Sequence, residues 1–112
     1  MSADTKQLVR SAYDAYQEGD RQKMEAAAGP GYTFSSPDDP SLDREKYFEI
    51  CWPNAGSIGG FEIEQYFEDD GDVLVRYTAT RQDGSRFRNV EFHRVEDGQI
   101  ARTEVYYGTE AS

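Results

Sequence analysis

Asn89-Val90-Glu91-Phe92-His93-Arg94-Val95-Glu96-Asp97-Gly98-Gln99-Ile100-Ala101-Arg102-Thr103-Glu104-Val105-Tyr106-Tyr107 reads as two strands folded about an Asp-Gly corner. Asp-Gly between strand-forming runs is a strong hairpin signal, because such corners need left-handed backbone angles that glycine adopts freely. Two similar corners precede it, Asp70-Gly71 and Asp83-Gly84. Taken as three-residue x-Asp-Gly loops, a type I turn closed by a left-handed glycine, the corners predict four strands at roughly 61–68, 72–81, 85–95 and 99–107.

Side chains alternate along a strand, so this register sorts them onto two faces. One face collects Phe61, Ile63, Phe67, Val73, Val75, Tyr77, Ala79, Phe87, Val95, Ala101, Val105 and Tyr107. The other collects Glu62, Glu64, Arg76, Thr78, Thr80, Arg86, Arg88, Arg94, Arg102 and Glu104. Two-residue loops would instead set Glu91 against Glu104 and Arg81 against Arg86, and like charges directly opposite are unfavourable. The three-residue register is therefore preferred, and it sets Glu91 beside Thr103 and Glu64 beside Arg76.

Five polar residues interrupt the apolar face: Gln65, Asn89, Glu91, His93 and Thr103. Gln65 falls in the row of Glu91, beyond Val75, while Asn89 and His93 flank Glu91 along its own strand. A carboxyl among apolar side chains costs several kcal/mol unless it is paired, protonated or kept wet. Glu91 is thus the first candidate for chemistry, as a general acid or base in an apolar cavity. The alternative is a structural carboxyl tied to Thr103 and His93.

Upstream, the pattern is helical. Asp4 can cap a first helix with Gln7 completing a capping box, and Leu8, Val9, Ala12, Tyr13 and Tyr16 recur at helical spacing up to Gly19. Asp20 caps a short second helix that Gly29-Pro30-Gly31 stops. Residues 32–36 alternate as a short strand placed beside strand 99–107. Asp43 caps a third helix that ends at Pro53. Helices first and an antiparallel meander second make an α+β fold, with three helices on the concave face of a curved sheet. Short helices leave such a face incompletely covered, so a cavity is expected between them. Tyr13, Tyr16, Phe34, Phe48, Trp52, Tyr77 and Tyr107 are its expected aromatic wall.

Composition narrows the function classes. The 112 residues carry a formal charge of −10, which disfavours nucleic acid and anionic membranes as partners. One cysteine and one histidine supply neither an intrachain disulfide nor a zinc centre, so no metal is expected. Met1-Ser2-Ala3-Asp4 does not open a signal peptide and no apolar run has transmembrane length, so a cytoplasmic location is expected. Cys51 reads as a small buried hydrophobe.

The helix–helix–strand–helix–meander order, with Asn89 to Ile100 and the Glu104-Val105-Tyr106-Tyr107-Gly108 ending, resembles the nuclear-transport-factor-2-like superfamily, and within it the SnoaL-like and ketosteroid-isomerase-like bacterial proteins. The resemblance spans nearly the whole chain. It implies a single SnoaL-like domain over 1–112, a cone-shaped half-barrel enclosing a pocket, and a homodimer packed through the outer sheet face. It places Glu91 near the slot where ketosteroid isomerases hold a protonated acid against an enolate oxygen. Ser36, before Pro37, stands where those isomerases carry their proton-abstracting aspartate, and Ala12 stands near the slot of their helix tyrosine. Dehydratases of the superfamily use two histidines, whereas its cyclases rely on one sheet acid, a role open to Glu91. Fold alone selects none of these activities.

The expected function is binding of a small, largely apolar, ring-bearing molecule, with cofactor-free isomerase-, cyclase- or hydratase-type proton transfer. Glu91 moves the proton and His93 tunes it. Tyr13, Tyr16, Phe34, Ser36, Trp52, Tyr77, Asn89, Thr103 and Tyr107 form the binding surface. A non-catalytic ligand-binding module and a dimeric assembly module are the alternatives.

Overall fold

The structure, a computed structural model, describes residues 2–111. Met1 and Ser112, the ends of the expected 1–112 unit, lie outside the described residues. Helix α1 (Ser2–Glu18) and helix α2 (Arg21–Ala27) lead into strands β1 (Ala28–Ser35) and β2 (Leu42–Asp43). Helix α3 (Arg44–Ile50) and a single 3-10 turn (Trp52–Asn54) precede the meander β3 (Ile58–Asp69), β4 (Asp72–Arg81), β5 (Arg86–Glu96) and β6 (Gln99–Ala111). The six strands form one curved, unclosed sheet in the order β2-β1-β6-β5-β4-β3. With three helices on its concave side, this is the expected α+β half-barrel.

Local chemistry explains the helix ends. Asp20 and Asp43 are N-caps, their carboxylates accepting from the backbone N–H of Lys23 and Lys46. Gly19 ends α1 at φ 71°, an angle that glycine takes without penalty. Asp4 is not a cap: α1 already runs from Ser2, and Asp4 sits in its first turn, where a negative charge suits the helix dipole. Cys51 closes α3, and Pro53 follows inside the 3-10 turn.

Strand β1 begins earlier than expected. It starts at Ala28 and absorbs Gly29-Pro30-Gly31 as an irregular stretch, then runs parallel to β6 with Thr33 opposite Arg102 and Phe34 opposite Thr103. Thr33 also pairs with Asp43 of β2, a strand absent from the sequence reading.

The three corners are not alike. Asp83-Gly84 is the expected three-residue loop, with Arg81 and Ser85 paired across it and only Gly84 left-handed, at φ 90°. At Asp70-Gly71 and Asp97-Gly98 both residues have positive φ, which makes two-residue type I′ turns. Each has a one-residue bulge near it, at Glu64 in β3 before the first corner and at Ala101 in β6 after the second. Between corner and bulge the faces exchange. Tyr66 therefore turns inward opposite Val75, while Gln65 and Phe67 turn outward opposite Arg76 and Leu74. Ile100 replaces Ala101 in the core and is fully buried. Beyond the bulge Glu91 meets Val105, and Thr103 meets His93 rather than Glu91. The expected neighbours have slid two places along β6, which leaves the facing of Glu91 unchanged.

The core divides in two. Ala12, Ala15, Met24, Tyr32, Tyr47, Phe48 and Ile100 join the helices to β1 and β6. Val9, Tyr13, Val73, Val75, Tyr77 and Ala79 join α1 to β4. On the convex face Glu64 accepts from Thr78 Oγ1 at 3.0 Å and Arg88 Nε at 3.2 Å, with Arg76 Nε at 3.5 Å. Burial works against that carboxylate's charge, but these donors and cations outweigh it and lower its pKa.

At one place β6 comes so close to β5 that only glycine fits. A Cβ on Gly108 would stand 2.3 Å from the Arg88 carbonyl oxygen. Gly108→Ala is therefore expected to lose about 1–3 kcal/mol in urea denaturation. Gly31→Ala, where an added Cβ meets nothing within 4 Å, is expected to stay within about 0.5 kcal/mol.

Candidate functional site

Between the helices and the concave sheet face lies a cavity of about 570 Å³, in the size range of small-molecule sites. Rows of the sheet build its floor. One row runs Ile63, Tyr77, Asn89, Tyr107; the next runs Tyr66, Val75, Glu91, Val105; a third runs Val73, His93, Thr103 and, across the parallel pair, Phe34. Tyr13 enters from α1 because it shares that helix's buried side with Val9 and Ala12.

Glu91 is the hub. Its Oε1 accepts from the Tyr13 hydroxyl at 2.9 Å and its Oε2 from the Tyr77 hydroxyl at 2.5 Å. Its side chain is 13% exposed, toward the cavity it lines, and His93 Nε2 lies 3.4 Å from Oε1. His93 Nε2 is also 2.9 Å from the Tyr13 oxygen, and its Nδ1 is 2.9 Å from Thr103 Oγ1. One set of protons satisfies the whole group. Tyr13 donates to Glu91, His93 Nε2–H donates to Tyr13, and Thr103 donates to Nδ1. Asn89 stands behind Tyr77: its Nδ2 donates to the Tyr77 oxygen at 3.2 Å, and its Oδ1 accepts from the Gly108 N–H at 3.3 Å. The close approach that demands glycine at 108 thus fixes the amide that orients Tyr77.

The phenols hold their protons. Burial first, then the charge of Glu91, raises both Tyr13 and Tyr77 well above the ordinary tyrosine value. Tyr16 is pushed up to about 12 by burial, with smaller contributions from Cys51 and Glu91. Burial, then the charge of Asp39, lifts the Cys51 thiol to about 11, so it lines the cavity as an un-ionised group.

Of the residues expected at the site, Tyr13, Tyr16, Phe34, Ser36, Tyr77, Asn89, Glu91, His93, Thr103 and Tyr107 all line this cavity. Trp52 does not; it stands behind Tyr16, edge-on at 5.8 Å. Phe48 likewise packs in the core rather than on the wall. Their places are taken by Phe61, Phe87, Tyr32 and Tyr47. The strand alternation through Phe34 would have found Tyr32, and the inner-face register already held Phe61 and Phe87. Ser36, Asp38 and Asp39 form a turn at the cavity lining, in which Ser36 Oγ accepts from both aspartate N–H groups and Asp38 accepts from the Tyr107 hydroxyl at 2.9 Å. Gln65 is exposed on the convex face. Among the described residues no three His, Cys, Asp or Glu side chains converge as metal ligands, and no helix is long and apolar enough to cross a membrane.

The SnoaL-like domain model matches residues 9–103, the stretch that holds the second half of α1, most of the cavity floor and Glu91. The chain belongs to the SnoaL-like domain family. No curated protein matches it. Solved structures share the fold of this SnoaL-like domain at low identity. An NTF-2 like protein of unknown function from Burkholderia xenovorans superposes with TM-score 0.83 at 12% identity, covering 99% of this chain and 88% of that one. A putative ketosteroid isomerase from Kribbella flavida gives 0.81 at 18%, covering 98% and 82%. AclR, a putative hydroxylase from Streptomyces galilaeus, gives 0.77 at 17%, covering 96% and 77%.

Tyr77→Phe removes the hydroxyl partner of Glu91 Oε2 and of Asn89 Nδ2. Urea denaturation at neutral pH is expected to show a loss of about 1–3 kcal/mol. Because the folded-state pKa of Tyr77 is raised, the stability it confers is whole below the unfolded value of about 10 and declines as pH rises beyond it. The gap between wild type and Tyr77→Phe should therefore narrow above that pH; a gap that widens contradicts this account.

Proposed function

We propose that this SnoaL-like domain binds a small, largely apolar, ring-bearing molecule in the cavity and transfers a proton on it through Glu91, without a cofactor. The observation that carries this reading is the Glu91 carboxyl on a cavity floor of mostly apolar and aromatic side chains, held on both oxygens by phenols that keep their protons. A general base needs a fixed position more than a long reach, and Tyr13 and Tyr77 supply it. Glu91 takes the proton from an activated carbon, and the two phenols keep the carboxyl in place as its charge falls. His93 modulates the group through Tyr13. Asn89 acts through Tyr77 rather than directly on the guest, since its carbonyl and one amide proton are engaged. The similarity to a putative ketosteroid isomerase supports this class of chemistry without selecting a substrate.

A non-catalytic binding role is the second reading, favoured by one observation. Ser36 Oγ, in the slot where the ketosteroid isomerases carry their base, is occupied with its own turn. Native mass spectrometry of the purified protein, followed by turnover of the guest it reveals, separates the two. Glu91→Gln is expected to lower turnover about 100- to 10,000-fold while a neutral guest still binds. An unchanged guest, with equal affinity in wild type and Glu91→Gln, sinks the enzymatic reading.

A homodimer through the convex sheet face completes the proposal. Phe67, Leu74 and Phe92 form a row there, with Phe67 61% and Leu74 46% exposed, beside the exposed Tyr106 ring. Paired arginines and acids flank it, an arrangement that a second copy can match by two-fold symmetry. Leu74→Glu is expected to halve the mass measured by light scattering while leaving the fold intact; a wild-type protein already at monomer mass overturns the dimer.

A further inference from the structure

Carboxyl groups outnumber guanidinium groups on the cavity lining. Glu91 lies on its floor, and Asp38 and Asp39 line it elsewhere. The one guanidinium on its lining, Arg81, is laid over the Phe87 ring 4.4 Å from the centroid and donates to Ser85 Oγ at 3.0 Å. On the convex side, Arg76, Arg88, Arg94 and Arg102 each stand within 3.5 Å of an acid of that face. The basic-type side chain in contact with Glu91 is His93, whose ring nitrogens also meet the Tyr13 oxygen and Thr103 Oγ1. Among the described residues, the ion pair formed by Glu91 is with His93 and not with a lysine or arginine.

The walls add to the asymmetry. Tyr13, Phe61 and Tyr77 pack edge to face at 5.3–5.4 Å and all line the cavity, with Tyr16 beside them. Aromatic faces attract cations, more strongly where water is excluded. The field of Glu91 reaches five phenols, contributing to the upward shifts of Tyr13, Tyr16, Tyr32, Tyr47 and Tyr77 after burial. Each phenol donates only one proton, so carboxylate lone pairs remain for a further donor.

We propose that the guest is a ring-bearing amine, bound as its ammonium with N–H groups on Glu91 and its apolar body among the rings of Tyr13, Phe61 and Tyr77. This rests on the reading that the cavity holds a small apolar guest, and it names the charge that guest carries. A partly buried carboxylate and neighbouring aromatic rings recognise an ammonium by charge and polarisation together, whereas a carboxylate guest meets repulsion from Glu91, Asp38 and Asp39.

Three probes sharing one ring system test it: naphthylethylamine, naphthylethanol and naphthylacetic acid, which are cationic, neutral and anionic at neutral pH. Isothermal titration of the full chain is expected to rank the amine about ten-fold or more above the alcohol, with the acid weakest. In Glu91→Gln the amine should fall to the affinity of the alcohol, while the alcohol changes by less than about two-fold. The wild-type ranking stands as a test even if that variant folds poorly. An alcohol that binds as tightly as the amine, or an acid that binds more tightly, overturns the ammonium assignment but leaves the cavity reading standing. Retention of the amine preference in a folded Glu91→Gln does the same. Failure of all three probes to bind removes the cavity reading and the assignment with it.

Discussion

A carboxyl enclosed by a curved sheet must find its hydrogen bonds inside the protein, and here it finds them on Tyr13 and Tyr77. That requirement organises the fold around it. Tyr13 is 78 residues from Glu91 in sequence, so its bond fixes the depth and rotation of α1 over the sheet. Tyr77 is aligned by Asn89, whose amide is held in turn by the backbone of Gly108. Without the close contact of β6 on β5 at Gly108, Asn89 loses its anchor and Tyr77 its orientation. In such a network a missing partner costs more than the partner contributed, because the group left behind stays out of water.

The architecture was legible because its signals are local. Capping aspartates at Asp20 and Asp43, the left-handed Gly19 and alternation along the meander each state one element unambiguously. Register was less legible, for a definite reason. The same dipeptide serves two turns: at Asp83 the aspartate keeps negative φ and the loop has three residues, whereas Asp70 and Asp97 turn left-handed and the loop has two. Nothing in Asp-Gly itself distinguishes these outcomes. The bulges at Glu64 and Ala101 then add one residue each, so a corner misread by one is compensated farther along the strand. Glu91 keeps its facing for that reason, whereas Phe67 and Gln65, lying between corner and bulge, exchange sides with Tyr66.

Parity placed the polar residues of β5 and β6 correctly, though not Gln65 of β3. Asn89, Glu91, His93 and Thr103 all lie on the concave face. Parity does not reveal which partners meet. Reading Thr103 as the neighbour of Glu91 hid the arrangement in which Thr103 holds His93, His93 meets Tyr13, and Tyr13 holds Glu91. Helical spacing placed Tyr13 and Tyr16 correctly against the sheet. Trp52 escaped because α3 ends at Ile50 and the 3-10 turn carries the indole behind Tyr16.

The two faces of the sheet show why one residue type does two kinds of work. On the convex side Glu64 is held by Thr78 and by two arginines that are about half exposed, so water and salt share the stabilisation of its charge. On the concave side Glu91 has phenols in place of guanidinium groups, and its surroundings are rings rather than solvent. A phenol fixes a carboxylate in position without neutralising it. The outer arrangement is electrically closed, and the inner one is left with charge directed into an apolar space. A core built only for stability has no use for that imbalance, since Gln at 91 would offer similar packing without a charge. The carboxylate is intelligible as a group held ready for a partner that comes from outside the chain.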